Sequence, residues 1–444
     1  TGHLEVAGNP FNTEGWSAKE ITGIKDLRKW QRWWPYEQTA YWIDGMIRCG
    51  YLLNDDFLIQ KARKHTDFVL QNQQDDGYLG PLVIENKTWP HAVFFRALMA
   101  QYSATQDESI PEAIRKHYLN HGHKFANHRE HVNIENILWA YGLTKDEKLL
   151  DLAKRVFAMM DTMRVDNHIL PKTFMKGKPV HIHGVSYNEY SKLGAILYMH
   201  TGDSAFLKQS VNAFQILDKY HTMPDGLHIS SEFIHELNDT TLNEGHETCN
   251  ISDYTWSAGY MLMATTEADY ADKIEKICFN ALPGAVTADF KGLQYFSCSN
   301  QFVAAHHSNQ CRYFKGGSQM HFSPSPWPRV DCCSGNVHRA MPNYVARMWM
   351  DNNQGGITAA LYGPSSVSFL AGYDKERVTV HEKTSYPFSE RIEFVFKVDN
   401  PTEFPFTFRI PGWCKNPAMT VNGKNVKQDL LPDNYYTINK LFKN

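Results

Sequence analysis

No apolar run in this chain approaches the ~20 residues that a helix needs to cross a bilayer, so no membrane span is expected. Neither sign of charge dominates. With 45 Lys and Arg against 48 Asp and Glu the net charge is −3, which gives no electrostatic reason to expect nucleic acid or an anionic membrane as a partner. The opening Thr1-Gly2-His3-Leu4 lacks the basic-then-apolar pattern of a secretory leader, so either none existed or it was removed. There is no low-complexity segment. The eight cysteines (Cys49, Cys249, Cys278, Cys298, Cys311, Cys332, Cys333 and Cys414) are not expected to form a disulfide framework, because their spacing argues against one and a chain this long can bury a core without staples. No finger-type Cys-x-x-Cys pair occurs either. Mostly free thiols are expected, some of them metal-bound, in a reducing compartment or shielded by metal in a periplasm. Compartment and oligomeric state stay open.

What is present begins with length. At 444 residues, two domains are expected, one of them large. Residues 1–354 read as helical. An acidic residue opens an amphipathic run at Asp55-Asp56-Phe57, Asp146-Glu147-Lys148 and Asp203-Ser204-Ala205, with further copies at Asp107-Glu108 and Ala268-Asp269-Tyr270. Turns follow at Asp76-Gly77, Asp166-Asn167 and Asp225-Gly226, where Gly and Asn supply positive φ. Such irregular repeats fit stacked helical hairpins. Closed into a ring they make an α/α toroid with a cleft at its wide end; an open solenoid reads similarly. From residue 355 to 444 the period becomes two. Ile392, Phe394, Phe396 and Val398 alternate with mostly charged neighbours, Phe404, Phe406, Phe408 and Ile410 continue the pattern, and Asn422-Gly423 is a hairpin turn. This predicts an antiparallel β-sandwich, and a truncated one is expected, since no closing strand is evident before Lys443-Asn444.

Aromatic residues are abundant, with 11 Trp, 22 Tyr and 25 Phe, and several adjoin carboxylates, as in Trp33-Trp34-Pro35-Tyr36-Glu37 and Tyr41-Trp42-Ile43-Asp44. Most such rings pack a core. In a sugar site, faces like that of Trp34 stack on apolar sugar faces, while Glu37 and Asp44 take hydroxyls. Two segments concentrate further chemistry: Asn243-Glu244-Gly245-His246-Glu247-Thr248-Cys249-Asn250 and Asp331-Cys332-Cys333-Ser334-Gly335-Asn336. Each precedes an apolar helical stretch, which Asn250 or Ser252, and Ser334 or Asn336, are placed to cap. The sulfurs then sit at helix N-termini, where backbone N–H groups favour thiolate. Glu247 and Cys249 converge only if their segment is extended or turned. With Cys332 and Cys333 they offer three sulfurs and a carboxylate, enough for a tetrahedral Zn²⁺. Spacing alone also allows unrelated buried thiols, or a strained disulfide between the adjacent pair.

Trp34-Pro35-Tyr36-Glu37 with Tyr41-Trp42-Ile43-Asp44-Gly45, Gln74-Asp75-Asp76-Gly77-Tyr78-Leu79-Gly80, Glu247-Thr248-Cys249, Cys332-Cys333 and Ile410-Pro411-Gly412-Trp413 together resemble the β-L-arabinofuranosidases of glycoside hydrolase family 127 and their relatives. The resemblance runs from about residue 30 to the C-terminus, and the Glu-Thr-Cys and Cys-Cys elements are its specific part. It implies an α/α toroid followed by β-sandwich domains. It also implies one zinc held by Glu247, Cys249, Cys332 and Cys333, with Cys332 as nucleophile. The acid/base glutamate falls at Glu232 in Ser230-Ser231-Glu232-Phe233, with Glu236 and Glu244 as competitors. His183, and more loosely His91, match the family's two active-site histidines. The residues after His183, Gly184-Val185-Ser186-Tyr187-Asn188-Glu189, depart from the family's small-residue and arginine pattern, which weakens transfer of substrate identity.

The expected activity is therefore retaining hydrolysis of terminal β-L-arabinofuranose, or a related pentofuranose-type sugar, from an oligosaccharide or glycan. Other readings keep the fold. A hydrolase of an acidic pectin sugar would line its cleft with cations such as Arg96 or Arg312, and a non-catalytic sugar-binding protein would carry a closed structural zinc site. Toroidal epimerases and lyases work with His or Tyr chemistry and have no need of three cysteines.

Overall fold

The computed structural model describes residues 34–80, 88–122, 128–165, 167–237, 244–301, 304 and 331–443. A helix-rich region comes first: α1 (Trp34–Leu53), α2 (Asp56–Gln71), α3 (Trp89–Thr105), α4 (Ser109–His121), α5 (Ile134–Thr144), α6 (Glu147–Met159), α7 (Leu170–Lys176), α8 (Gly184–Ser191), α9 (Leu193–Thr201), α10 (Ser204–Tyr220), α11 (Cys249–Thr265), α12 (Ala268–Lys276), α13 (Leu282–Ala285) and α14 (Asp331–Val345). The recurring aspartates cap these helices. Asp55, Asp146 and Asp203 accept from the backbone N–H of Leu58, Lys148 and Ala205, which removes an orphan donor at the start of α2, α6 and α10. Asp107 does the same for Ser109 at α4.

The helices fall into two layers. α3, α8 and α11 are buried along most of their length, whereas α2, α6 and α10 bury one stripe and expose the rest. α1 packs on both α3 and α14, and α11 on both α14 and α8. The α1–α14 approach needs a glycine: a Cβ on Gly45 would lie 2.8 Å from the His338 carbonyl oxygen. A small sheet interrupts the helices, built from β1 (Ser230–Ser231), β2 (Phe233–Ile234), β3 (His246–Glu247) and β4 (Phe296–Ser297) in the order β2-β1-β3-β4. No helix among the described residues is long and apolar enough to cross a membrane.

A separate β-sheet region follows. β5 (Trp349–Asp351), β6 (Ile357–Ala359), β10 (Thr402–Ile410) and β13 (Asn434–Phe442) form one sheet in the order β13-β10-β6-β5, and β7 (Ser365–Ala371), β8 (Glu376–Thr384) and β9 (Ile392–Val398) form an antiparallel second. β11 (Thr420–Val421) and β12 (Lys424–Asn425) meet at Asn422-Gly423, both with positive φ. Val378 and Val380 of one sheet share a core with Phe404, Phe406 and Phe408 of the other. The last described strand, which the sequence reading did not find, is β13, and it pairs with β10 from Asn434 to Phe442. Its alternation is blurred because most of its side chains are only half-buried or exposed. The two regions are joined by Arg409 of β10, whose guanidinium reaches Asp272 and Glu275 on α12, and by the Tyr386 hydroxyl, 2.5 Å from Glu275.

A Glu/Cys cluster beside a turned glutamate

The sulfur cluster is assembled from two helix starts and one strand end. Glu247 ends β3, Thr248 turns the chain, and Cys249 is the first residue of α11; Cys332 and Cys333 lie in the first turn of α14. The caps expected at Asn250, Ser252, Ser334 and Asn336 are not formed, since both helices begin earlier and place these residues inside them. The side chains of Asn250 and Asn336 instead bond across to other elements, Asn250 to Ser230 and Asn336 to Asp253. Cys249 Sγ lies 3.2 Å from Cys333 Sγ, and Cys332 Sγ lies 3.9 Å from Cys333 Sγ, too far for a vicinal disulfide. Glu247 Oε1 is 3.6 Å from Cys332 Sγ and 3.9 Å from Cys333 Sγ. Donors held about 2.3 Å from one tetrahedral ion would lie ~3.8 Å apart, so the quartet fits a metal such as zinc. A second observation agrees: Glu247 Oε2 is buried and has no hydrogen-bond partner among the described residues.

The electrostatics point the same way. Burial pushes the Cys249 and Cys333 thiols well up. Burial also raises the Glu247 carboxyl, with the charges of Glu232 and Cys332 adding to it. Hydrogen bonds from Cys249 and Cys333 hold Cys332 well below the ordinary thiol range, against burial and with help from Tyr295. The cluster alone thus concentrates negative charge on Cys332. A divalent cation would let the remaining donors ionise.

Glu232 sits one layer out. It is the turn between β1 and β2, at φ +69°, a conformation that non-glycine residues seldom adopt and that often marks functional positions. The turn is fixed by the Gly184 N–H donating to the Glu232 carbonyl at 2.8 Å. Its carboxylate accepts from the Tyr295 hydroxyl at 2.5 Å and lies 3.3 Å from His183 Nε2. His183 caps α8, with Nδ1 accepting from the Ser186 N–H, so its proton resides on Nε2 and faces Glu232. Tyr295 Oη is also 3.5 Å from Cys332 Sγ. Oxygens of Glu232 and Glu247 and a ring nitrogen of His183 lie within 4.8 Å of one another. The Glu232 and His183 side chains are each 22% exposed, whereas Glu247 is 1% exposed, so the cluster meets solvent on the side of Glu232.

Residues 13–346 match the model for the β-L-arabinofuranosidase GH127 catalytic domain, and residues 356–444 match the GH127 middle domain. The chain belongs to glycoside hydrolase family 127. A non-reducing end β-L-arabinofuranosidase of Bifidobacterium longum subsp. longum is 24% identical over 206 residues, which is 44% of this chain and 29% of that protein, well under half of its length. Among solved structures, a GH127 β-L-arabinofuranosidase from Geobacillus stearothermophilus T6 is 18% identical with a TM-score of 0.76, the match covering 99% of this chain and 74% of that one. A second GH127 β-arabinofuranosidase is also 18% identical, with a TM-score of 0.75, covering 100% and 74% respectively.

Within this family-127 chain the other expected site residues are placed as follows. Glu37 is buried and accepts from the Tyr41 hydroxyl at 2.8 Å and from Trp89 Nε1 at 3.0 Å; burial, and then the Cys332 charge, raises its carboxyl above the ordinary range despite Arg129. Trp34 opens α1, and its side chain falls outside the described residues, as do Cys311 and Arg312. Asp44 is not placed to hold a sugar hydroxyl: it is fully buried, with one oxygen 2.7 Å from Arg48 and the other 2.9 Å from Arg339. Burial opposes its charge, but these arginines outweigh that and keep its carboxyl low. Arg96 is likewise buried, on Glu135 and Glu189, rather than lining a cleft. His91 is buried against Tyr78, Phe95 and His117 and is not part of the His183–Glu232–Glu247 group. Of the competitors, Glu236 is exposed and Glu244 is buried with the Ser231 hydroxyl 3.5 Å away. Sequence reasoning missed Tyr295, because only the β3–β4 pairing brings it beside residues 63 and 37 positions away.

Proposed function

We propose that this chain is a retaining glycoside hydrolase that releases terminal β-L-arabinofuranose, or a closely related pentofuranose, from plant glycans. In this reading the helical region closes into an α/α toroid, the β region is a sandwich, and the division lies near residue 354, with β5 reaching back to Trp349. Glu247, Cys249, Cys332 and Cys333 hold zinc, Cys332 is the nucleophile and Glu232 the acid/base. The observation that carries the proposal is the Tyr295 hydroxyl, which touches both Cys332 and Glu232 at the open side of the cluster.

Zinc, when bound, keeps sulfur as thiolate at neutral pH and offsets the buried negative charge. The Cys332 thiolate attacks the anomeric carbon while protonated Glu232 gives its proton to the leaving oxygen, so a C–S bond forms as the glycosidic C–O bond breaks. Glu232, now ionised, takes a proton from water. That water attacks the same carbon, and the C–S pair returns to Cys332. Two inversions give net retention. Tyr295 has one proton to donate, and the two half-reactions need it in different places. It faces the thiolate while Glu232 is protonated, and Glu232 once that carboxyl is ionised. His183 Nε2–H supports the ionised form.

The test is zinc content by elemental analysis on wild type and Cys332→Ala, with hydrolysis of p-nitrophenyl β-L-arabinofuranoside in parallel and the first-formed anomer read by NMR. About one zinc per chain, retention, and loss of turnover in Cys332→Ala are expected. Zinc without turnover on pentofuranosides would move the assignment to another sugar or to a binding role. Absence of zinc, or an inverted product, would overturn the mechanism.

A further inference from the structure

We propose that Asn336 is a positioning residue for the metal centre, a clamp that fixes the register of α11 against α14 one turn beneath the sulfurs. Asn336 follows Cys332 by four residues and Cys333 by three, so it lies on their face of α14. Asp253 follows Cys249 by four residues and occupies the equivalent place on α11. The two meet: Asn336 Nδ2 donates to Asp253 Oδ2 at 2.9 Å and lies 3.4 Å from the Cys249 carbonyl oxygen. A third tie runs the other way, from Ser252 Oγ to the Asn336 carbonyl at 2.7 Å. The amide orientation is fixed as well. Arg339 Nη1 can only donate, and it lies 2.8 Å from Asn336 Oδ1, so Nδ2 must face α11. All four residues are fully buried, or nearly so, which leaves no water to replace a lost bond.

The sulfurs need this because they come from separate helices, and Cys249 sits on the first residue of its own, where a helix is least constrained by its own hydrogen bonds. A shift of one helix along the other changes the Cys249–Cys333 separation directly, and a metal site tolerates only about 0.5 Å of error. The inference rests on the reading that the Glu/Cys cluster binds zinc, and it adds that the affinity is set in part by a residue that touches no metal.

The experiment compares intact wild-type protein with Asn336→Ala, Ser252→Ala and, as a buried-asparagine control away from the cluster, Asn133→Ala, whose side chain bonds Tyr118, Thr88 and Glu130. Each is stripped, loaded with Co²⁺ to record thiolate-to-metal charge-transfer absorption, and titrated with Zn²⁺ against a chelator; the thermal midpoint of each metal-free form is measured alongside. Asn336→Ala is expected to weaken Zn²⁺ binding about 10- to 100-fold and to alter the cobalt spectrum. Ser252→Ala should do the same to a smaller degree, and Asn133→Ala should lower the midpoint while leaving affinity and spectrum as in wild type. Wild-type affinity in Asn336→Ala, or an equal loss in Asn133→Ala, overturns the clamp. If Asn336→Ala does not fold, an unchanged Ser252→Ala overturns it. A wild type that shows no charge-transfer band and takes up no zinc refutes the metal reading itself, and the clamp falls with it.

Discussion

Beneath the sulfur cluster the helical region buries charge, and the sheet region buries rings. Arg96 reaches Glu135, Glu189 and Asp253; Lys192 reaches Glu189 and Glu135; Arg339 reaches Asp44 and Asp253; Arg48 reaches Asp44. Four cations and four carboxylates thus join α1, α3, α5, α8, α11 and α14. The sheet region instead stacks Phe404 on Phe442 and sets Phe406 edge-on to Phe394 and Phe396. An apolar core accepts many arrangements of similar volume, whereas a set of paired charges is satisfied in very few. In the proposed reading the difference has a use: the helical region must hold donors from two helices and a strand to a fraction of an ångström.

The sharpest way to break this contrast is to delete one member of the charged set. Arg96→Met leaves Glu135, Glu189 and Asp253 without their shared cation. It should cost about 3–5 kcal/mol in denaturant unfolding, if the protein folds at all. Ile357→Leu, a volume-conserving change in the sheet core, should cost under about 1.5 kcal/mol. Comparable losses in the two variants would mean that the ionic set carries no special burden.

Next in size are opposite responses to pH. Burial, with like charge from His221 and His246, lowers His228 to about 3, and burial chiefly lowers His221 and His235 to about 4. The unfolded chain binds protons at these sites that the fold refuses. Their contribution to stability is therefore complete above the ordinary histidine range and is lost as pH falls towards 4. In the sheet region burial raises Glu382 to about 8. There the fold keeps a proton that the unfolded chain has released, so this contribution is present at low pH and is lost as pH rises from the carboxylate range to about 8. The slope is about 1.4 kcal/mol per pH unit for each group while its protonation differs between the two states. Thermal midpoints against pH should flatten on the acid side in His228→Asn and on the basic side in Glu382→Gln. Curves parallel to wild type would sink the assignment.

These buried pairs also explain what the sequence could and could not disclose. Asp55, Asp146 and Asp203 were legible as caps because a cap and the N–H it satisfies are two or three residues apart. The alternation through Phe404, Phe406 and Phe408 was legible because a strand repeats every second residue. The Glu247, Cys249, Cys332 and Cys333 quartet was visible through short motifs and a resemblance, not through spacing. Arg96 with Glu189, Asn336 with Asp253 and Tyr295 with Glu232 left no local trace, since tertiary packing alone makes them neighbours. Asp44 shows the converse error: an acid beside aromatic residues reads as a sugar ligand until Arg48 and Arg339 are seen to occupy both its oxygens.

Where the polar interior reaches solvent, at Tyr295, the effect should appear in catalysis more than in folding. Tyr295→Phe keeps the ring that packs on Phe296 and removes only the hydroxyl shared by Glu232 and Cys332. A hydrogen bond to a charged group is worth about 1.5–3 kcal/mol, so kcat/KM should fall by roughly one to two orders of magnitude with the zinc content unchanged. Unaltered kinetics would remove Tyr295 from the proposed mechanism.

The smallest effect separates the inner and outer layers of the helical region itself. Asp203 caps α10 from an exposed position, touching the backbone N–H of Ala205 and none of the buried charges. Asp203→Ala should cost about 1 kcal/mol, the ordinary value of an N-cap, and leave metal affinity and turnover alone. If the outer helices only wall in the charged set, that modest loss in chemical denaturation is all that follows. A fall in zinc affinity from so remote a change would show that the outer layer also tunes the site, and the division between a placed interior and a merely supporting shell would have to be given up.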